Sequence, residues 1–66
     1  MAIDKNVLKR LTLLYVEDDD VSRLELSQLL ITFFSVVHIA KNGKEGLRKY
    51  LENQDDIDLI LTDVNM

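Results

Sequence analysis

The sequence predicts an α/β fold built on a three-stranded parallel sheet. Two segments, 11–16 (LTLLYV) and 57–62 (IDLILT), are apolar runs with little polar alternation, which is typical of strands buried on both faces of a sheet. A third segment, 36–40 (VVHIA), is rich in β-branched residues. Segments 20–33 and 44–52, which are predicted to be helices, lie between these strands. The resulting order, βαβαβ, predicts that the strands are parallel.

Connection rules predict the order of the strands. Crossovers between parallel strands are right-handed, and the second connection is expected to carry the chain back past the first strand. The order is then 2-1-3, with the first strand in the centre and the two helices on opposite faces. Open sheets of this kind bind ligands at the carboxyl ends of the strands, where the strand order reverses. Here that point lies between the first and third strands.

Length and composition exclude several classes of protein. The chain has 66 residues, fewer than the ~100–150 of a typical domain, and its lack of cysteine excludes disulfides and thiolate metal sites. Twelve acids against eight bases give a formal charge of −4, which offers no basic surface for nucleic acid or an anionic membrane. No apolar run approaches the ~20 residues of a membrane span, and the first residues lack a secretory signal. We therefore expect a cytoplasmic protein that binds neither nucleic acid nor membrane.

Helical spacing predicts which residues of the two helices reach the core. Residues 1–10 are expected to form a leader with one helical turn near 6–10, and Asp19 and Asp20 are candidate N-caps of the first long helix. Gly46 is expected to weaken the second helix by up to ~1 kcal/mol relative to alanine. The residues expected on core-facing stripes are Leu26, Leu29, Leu30 and Phe33 in the first helix, and Leu47, Tyr50 and Leu51 in the second.

Two shorter features belong to the second strand and its end. Lys41-Asn42-Gly43 predicts a turn, because Asn-Gly tolerates positive φ. His38 is the one histidine in the sequence. It is expected to face solvent or lie on an edge strand rather than to bind a ligand, because there is no cysteine to pair with and the acids follow other strands.

Acidic residues follow both strands that flank the predicted ligand-binding point. Glu17 and Asp18 come directly after the first strand, and Asp63 comes after the third. Carboxylates this close repel one another unless a cation lies between them, and Mg²⁺ prefers oxygen ligands. Asp63 is then a candidate nucleophile that carries an acyl phosphate. A simpler interpretation stays open for residues 17–20, namely an acidic loop that caps a helix.

Three segments, in order, carry a family resemblance over nearly the whole chain. They are 13–19 (LLYVEDD) with Arg23 five residues after Asp18, 40–47 (AKNGKEGL) and 58–66 (DLILTDVNM). Together they resemble the receiver domain of two-component response regulators. Gly46 stands where alanine is commoner in that family, and Glu17 stands where aspartate is commoner.

The resemblance implies a fold, a site and partners. The fold would be a flavodoxin-like, doubly wound parallel sheet. Asp63 would accept phosphate from a sensor histidine kinase or a phosphotransfer protein. Asp18 would bind Mg²⁺ directly, Glu17 would act through water, and Asn65 would contribute its backbone carbonyl. A module of this kind is a phosphoacceptor rather than an enzyme.

The family's domain continues for about as many residues again. That part supplies two further strands, three helices, a hydroxyl residue and a lysine near the phosphate. We therefore expect residues 1–66 to be a truncated receiver domain that lacks full activity and whose third strand is an exposed edge. An exposed edge predicts self-association, most simply a two-fold dimer in which the third strands pair antiparallel.

Other functions stay open. A self-associating piece of the receiver fold without phosphotransfer would bind Mg²⁺ weakly and take up no phosphate. A phosphatase or toprim-like metal enzyme fits Glu17 and the Asp63-Val64-Asn65 motif but needs further acids downstream. A nucleotide-binding half is the weakest alternative, because acids occupy the first turn, where glycines would approach a pyrophosphate.

Overall fold

The structure of the protein, a computed structural model, describes residues 5–62. Its elements, in chain order, are α1 (Lys5–Leu8), β1 (Thr12–Val16), α2 (Asp20–Phe33), β2 (Val36–Ala40), α3 (Gly43–Asn53) and β3 (Leu59–Thr62). The three strands form one parallel sheet in the order β2-β1-β3, which confirms the predicted α/β class and strand order. The strands and the two long helices lie within two residues of their predicted bounds. The predicted helical turn near 6–10 is found as α1, one residue earlier.

The central strand β1 is the buried strand of the sheet. Leu14 pairs with His38 of β2 on one side and with Ile60 of β3 on the other. Its side chain is 1% exposed, and both neighbours of Leu14 in the strand are also buried. The unbroken apolar run of β1 follows from this position, because its side chains enter the core on both faces of the sheet.

The two long helices cover opposite faces of the sheet and so create two small cores. On one face, Leu13 and Tyr15 pack with Leu30 of α2. On the other face, Leu14 and Val16 form a buried cluster with Ala40, and Tyr50 of α3 packs against that cluster. Alternate residues of β1 therefore serve different cores, as expected from the two-residue repeat of a strand.

The predicted core stripes of the helices are only partly right. Leu30 is buried and Leu26 packs against the core, whereas Leu29 is exposed. The reason is the position of α2, which contacts β2 and leaves Leu29 beside an open groove next to β1. In α3, Tyr50 packs against the core, but the prediction for Leu47 and Leu51 is wrong because both are exposed.

The apolar run of β3 is typical of a strand buried on both faces, but the structure instead shows the exposed edge strand that is also expected for this chain. Leu59, Ile60 and Leu61 are 44%, 54% and 41% exposed. β3 lies at the edge of the sheet and pairs only with β1. In the part of the chain that the structure describes, α2 and α3 pack mainly against β1 and β2, and only an open cavity separates α3 from Ile60 of β3.

A polar side chain caps the N-terminus of each long helix. Asp19 is the N-cap of α2, and its Oδ2 accepts the Ser22 N–H at 2.7 Å. Asn42 is the N-cap of α3, and its Oδ1 accepts the Glu45 N–H at 2.7 Å. The predicted turn at Lys41-Asn42-Gly43 is found as a bend at residues 41 and 42, but no residue between 5 and 62 has a positive φ and Gly43 already belongs to α3. Asn42 uses its side chain rather than an unusual backbone conformation.

Gly46 allows α3 to approach β1 closely. A Cβ atom at this position would lie 2.8 Å from Cγ2 of Val16, closer than two carbon atoms can pack. Gly46 is buried, and it faces the sheet in place of Leu47. The absence of a side chain thus sets the distance between helix and strand, at the cost in helix propensity noted above.

Gly46→Ala is therefore expected to destabilise the fold, although alanine is the better helix former. Overpacking a core typically costs ~1–3 kcal/mol, against a propensity gain of up to ~1 kcal/mol. Urea denaturation followed by circular dichroism measures the difference. The matched background is Val16→Ala, which removes the clashing methyl groups. Gly46→Ala should be neutral or stabilising in that background, and destabilisation of equal size in both would show that the Val16 contact is not the cause.

Candidate acidic site at the carboxyl ends of β1 and β3

Glu17 is the first residue after the central strand, and the structure holds it in place. Its N–H donates to the Ala40 carbonyl at 3.0 Å, which extends the ladder between β1 and β2. Its side chain is largely buried, and Oε2 accepts the Asp19 N–H at 3.2 Å. The carboxylate is therefore fixed at the carboxyl end of the sheet, as the sequence predicts.

The ends of β1 and β3 lie level with each other. Thr62, the residue before Asp63, pairs with Val16, the residue before Glu17. Asp18 follows Glu17 and is exposed. The predicted site residues Asp63 and Asn65 lie outside the described residues. The sheet thus brings the chain positions just before two of the predicted acids side by side.

Two of the four consecutive acids after β1 serve the helix that follows. Asp19 caps α2, and its pKa is lowered mainly by the hydrogen bond from the Ser22 backbone N–H, with a smaller contribution from the Arg23 guanidinium. Asp20 pairs with Arg23 across 2.5 Å. The helix-capping interpretation of this acidic loop therefore holds for Asp19, whereas no hydrogen bond among those of the described residues joins the Asp18 side chain to the helix.

Arg23 connects the acidic loop to α2. Its Nη1 donates to the Glu17 carbonyl at 3.1 Å, and its Nη2 donates to Asp20. The guanidinium thus places a positive charge between Glu17, in the loop, and Asp20, at the start of α2. This contact limits the movement of the Glu17 backbone. Sequence reasoning places Arg23 only by family resemblance. The signal for its ion pair is an acid and an arginine three residues apart in the first turn of a helix.

The lowered pKa of Asp19 predicts how acid acts on α2. The folded-state pKa lies below the ordinary value of 3.8, so this carboxylate stabilises the fold above that value and loses its contribution as the pH falls through the folded pKa. Asp19→Asn keeps an N-capping side chain but cannot titrate. Thermal midpoints of both proteins from neutral pH to about pH 2 measure the effect. The advantage of the aspartate protein should shrink below 3.8, and a constant difference would contradict the assignment.

Glu17 and Asp18 fit a hard divalent cation by their chemistry. Both offer carboxylate oxygens, and Mg²⁺ is commonly held by one or two carboxylates together with other oxygen atoms. Between residues 5 and 62, however, no three acids or histidines come together as a metal-binding group. His38 lies on the edge strand β2, where it lines a different cavity of about 530 Å³ with Arg10 and Asp58.

Comparison with known proteins neither supports nor opposes the family resemblance. No family model, curated protein or solved structure matches the chain. Within the described residues, no helix is both long enough and apolar enough to span a membrane. The resemblance to receiver domains stays a prediction from the residues.

Proposed function

We propose that the chain is a phosphoacceptor receiver module of a two-component phosphorelay, phosphorylated on Asp63. The observation that carries the proposal is the register of the sheet. Val16 and Thr62 pair across β1 and β3, so the chain positions of Glu17 and Asp63 follow a matched pair of strand ends. Parallel strands deliver acids to a shared edge only when their ends are level, and these ends are level.

The same loop supplies a second argument, which concerns charge. Asp19 and Asp20 are engaged by the Ser22 N–H and by Arg23. Glu17 is held with its carboxylate at the strand end, and Asp18 is exposed beside it. An acidic pair of this kind that also approached Asp63 would be strongly repulsive without a cation. We assign Glu17, Asp18, Asp63 and the backbone carbonyl of Asn65 as the residues that hold Mg²⁺.

The proposed reaction transfers one phosphoryl group to a carboxylate. An oxygen of Asp63 attacks the phosphorus of the donor, the bond from phosphorus to the donor's leaving atom breaks, and the leaving group takes the bonding electron pair. With a sensor histidine kinase or a phosphotransfer protein, the leaving atom is a histidine nitrogen. Bound Mg²⁺ supplies charge neutralisation at the phosphoryl oxygens. Glu17 and Asp18 would help to hold that ion, and the chain is an acceptor rather than an enzyme.

Phosphate uptake from a small acyl phosphate tests this proposal without any partner protein. The intact chain is incubated with the donor and Mg²⁺, and its mass is measured. One added phosphate that depends on the metal supports the proposal. No uptake at any donor concentration would contradict it.

The proposal also covers the fold class, the location and the assembly of the protein. We propose that this parallel sheet belongs to the flavodoxin-like, doubly wound class, that the protein is cytoplasmic, and that self-association through β3 completes the sheet. The support is the apolar sequence of β3 together with its exposure in the 66-residue chain. An apolar edge strand of this kind is a template for pairing with another strand.

A second candidate is favoured by the same exposed strand. In it, the chain is a self-associating structural piece with the receiver topology and no phosphotransfer. The two candidates differ in chemistry but not in assembly. Metal-dependent phosphate uptake at Asp63 is expected only if the chain is a phosphoacceptor.

A further inference from the structure

Asn42 and Gly43 join β2 to α3, and this pair of residues is chemically labile. The sequence has four asparagines, of which Asn42 is the one followed by glycine. Asparagine is a thermolabile residue, because the backbone nitrogen of the next residue can attack its side-chain amide. Glycine hinders that attack least, since it has no side chain. Gly43 is exposed, and a Cβ atom there would meet nothing within 4 Å, so the surroundings do not block the reaction either.

The reaction in question is deamidation through a cyclic imide. The Gly43 nitrogen forms a bond to Cγ of Asn42, the bond from Cγ to Nδ2 breaks, and ammonia leaves with the proton that the Gly43 nitrogen gives up. Water then opens the imide at one of its two carbonyls. One product is aspartate at position 42, and the other is isoaspartate, in which the backbone continues through the former side-chain carbonyl. Water is the only co-reactant, and each product carries one more negative charge than asparagine does.

The fold holds Asn42 away from the geometry that this attack requires. As the N-cap of α3, Asn42 accepts the Glu45 N–H with Oδ1 at 2.7 Å and the Gly46 N–H with its carbonyl oxygen at 2.9 Å. Ring closure needs Cβ of Asn42 and the Gly43 nitrogen to be nearly eclipsed about the Cα–C bond, since reacting groups must be aligned before they react. The ψ of 172° at Asn42 leaves these two atoms staggered. Attack therefore requires that the cap is released first.

Further contacts of α3 oppose the release of the cap. Glu45 Oε1 accepts the Lys41 N–H at 3.4 Å, and Lys49 Nζ donates to the Ile39 carbonyl. The Glu45 and Lys49 side chains also pair with each other across 3.6 Å. Tyr50, further along the helix, packs against the core beneath α3. Opening the start of α3 therefore disturbs contacts with the strand and with the core, and a local opening of this kind has its own free-energy cost.

We propose that Asn42 is a deamidation site which the N-cap of α3 protects, so that its conversion marks chains in which the start of α3 has opened. The two products differ in their effect on the helix. Aspartate caps helices as well as asparagine does, and its charge is favourable at a helix N-terminus. Isoaspartate adds one carbon to the backbone, which displaces the two acceptors that Glu45 and Gly46 use. The inference is independent of phosphate uptake.

Peptide mass spectrometry of the aged 66-residue chain tests the inference. The chain is incubated at mildly alkaline pH in buffer and in guanidinium chloride, and then cut with a glutamate-specific protease. In guanidinium chloride, Asn42 should convert well before Asn53, which glutamine follows. Conversion in buffer should be slower by the order of tenfold, because an N-cap contact alone shifts an equilibrium by about 2- to 30-fold. Equal rates in the two solvents would overturn protection by the cap, and no conversion in guanidinium chloride would overturn the site itself.

Two variants separate the chemistry from the protection. Gly43→Ala adds a methyl group in open space and should remove most of the conversion in guanidinium chloride, where folding plays no part. An unchanged rate there would overturn attack by the nitrogen of residue 43. Tyr50→Ala removes packing of α3 on the core, and it should speed conversion in buffer whether the variant stays folded or not. Leu51→Ala is the matched control, because Leu51 is 58% exposed on the same helix, and its rate should equal that of the wild type. Equal rates for the two alanine variants of α3 would overturn the role of helix packing.

The effect of each product is measured by thermal unfolding. Asn42→Asp supplies the aspartate product directly, and its midpoint should match that of the wild type. Isoaspartate chains, separated by chromatography from aged wild-type protein, should unfold at a lower temperature. An isoaspartate form as stable as the wild type would overturn the role of Asn42 as the cap that holds α3.

Discussion

Asp63→Asn is expected to abolish phosphate uptake from a small acyl-phosphate donor. Asparagine has almost the same shape as aspartate, but its amide is not a nucleophile at phosphorus, so no aspartyl phosphate forms. The expected change is from one phosphate per chain to none. Mass spectrometry of the intact protein measures it directly, and hydroxylamine treatment, which cleaves acyl phosphates, should remove the added mass from the wild-type protein.

The matched control is Asp56→Asn. Asp56 is an exposed acid in the turn before β3, at the opposite end of the sheet from Glu17, and its replacement makes the same change in net charge. This variant should take up phosphate as the wild type does, and chelation of Mg²⁺ should stop uptake in both. Equal uptake by the Asp63→Asn protein would remove Asp63 from the proposal. Equal uptake without a divalent cation would remove the metal.

The sheet was predictable because strand order depends on the sequence pattern and on general rules of connection. Apolar runs at 11–16, 36–40 and 57–62 separate two helices, and right-handed crossovers leave few arrangements of three parallel strands. The N-cap of α2 was equally accessible, because Asp19 stands directly before the helix and few residue types suit that position. Local chemistry and topology agree in this part of the chain.

Burial on the helices was less predictable because spacing gives a face but not what lies opposite it. Leu29, Leu47 and Leu51 have the spacing of core residues, yet each is more than half exposed. Gly46 shows the same limit of helical spacing for a residue that was not expected in the core. The sequence treats it as a weak helix residue, whereas the structure uses it for the approach of α3 to Val16. Such contacts depend on the distance between elements, which a pattern in one element does not contain.

The acidic loop after β1 was predictable as a feature at the end of a strand, but the roles of its members were not. Glu17, Asp18, Asp19 and Asp20 all carry a carboxylate, so the sequence alone does not separate their roles. The structure distinguishes them, because Asp19 caps α2 and Asp20 pairs with Arg23. Only three-dimensional contacts show which acids a helix already uses.

Leu14→Ala is expected to unfold much of the population at room temperature. Among the described residues, Leu14 is the largest residue whose side chain is fully buried, and it lies at the centre of the sheet. Truncation of a buried leucine costs about 2–5 kcal/mol through lost burial and the cavity left behind. A chain of 66 residues has a total stability of only about 3–10 kcal/mol, so the loss is comparable to the whole.

The cost should be near the upper end because the site cannot collapse easily. Leu14 is held by backbone pairing to strands on both sides, while Val16 and Ala40 of the same cluster are fixed in the sheet. α3 would have to move toward the sheet to fill the space, but Gly46 already brings it into contact with Val16. Leu24→Ala is the control, because Leu24 is 61% exposed on α2 and its change should stay within about 0.5 kcal/mol. Urea denaturation of the three proteins measures both values, and equal midpoints for the two variants would mean that the core of this fold does not lie beneath α3.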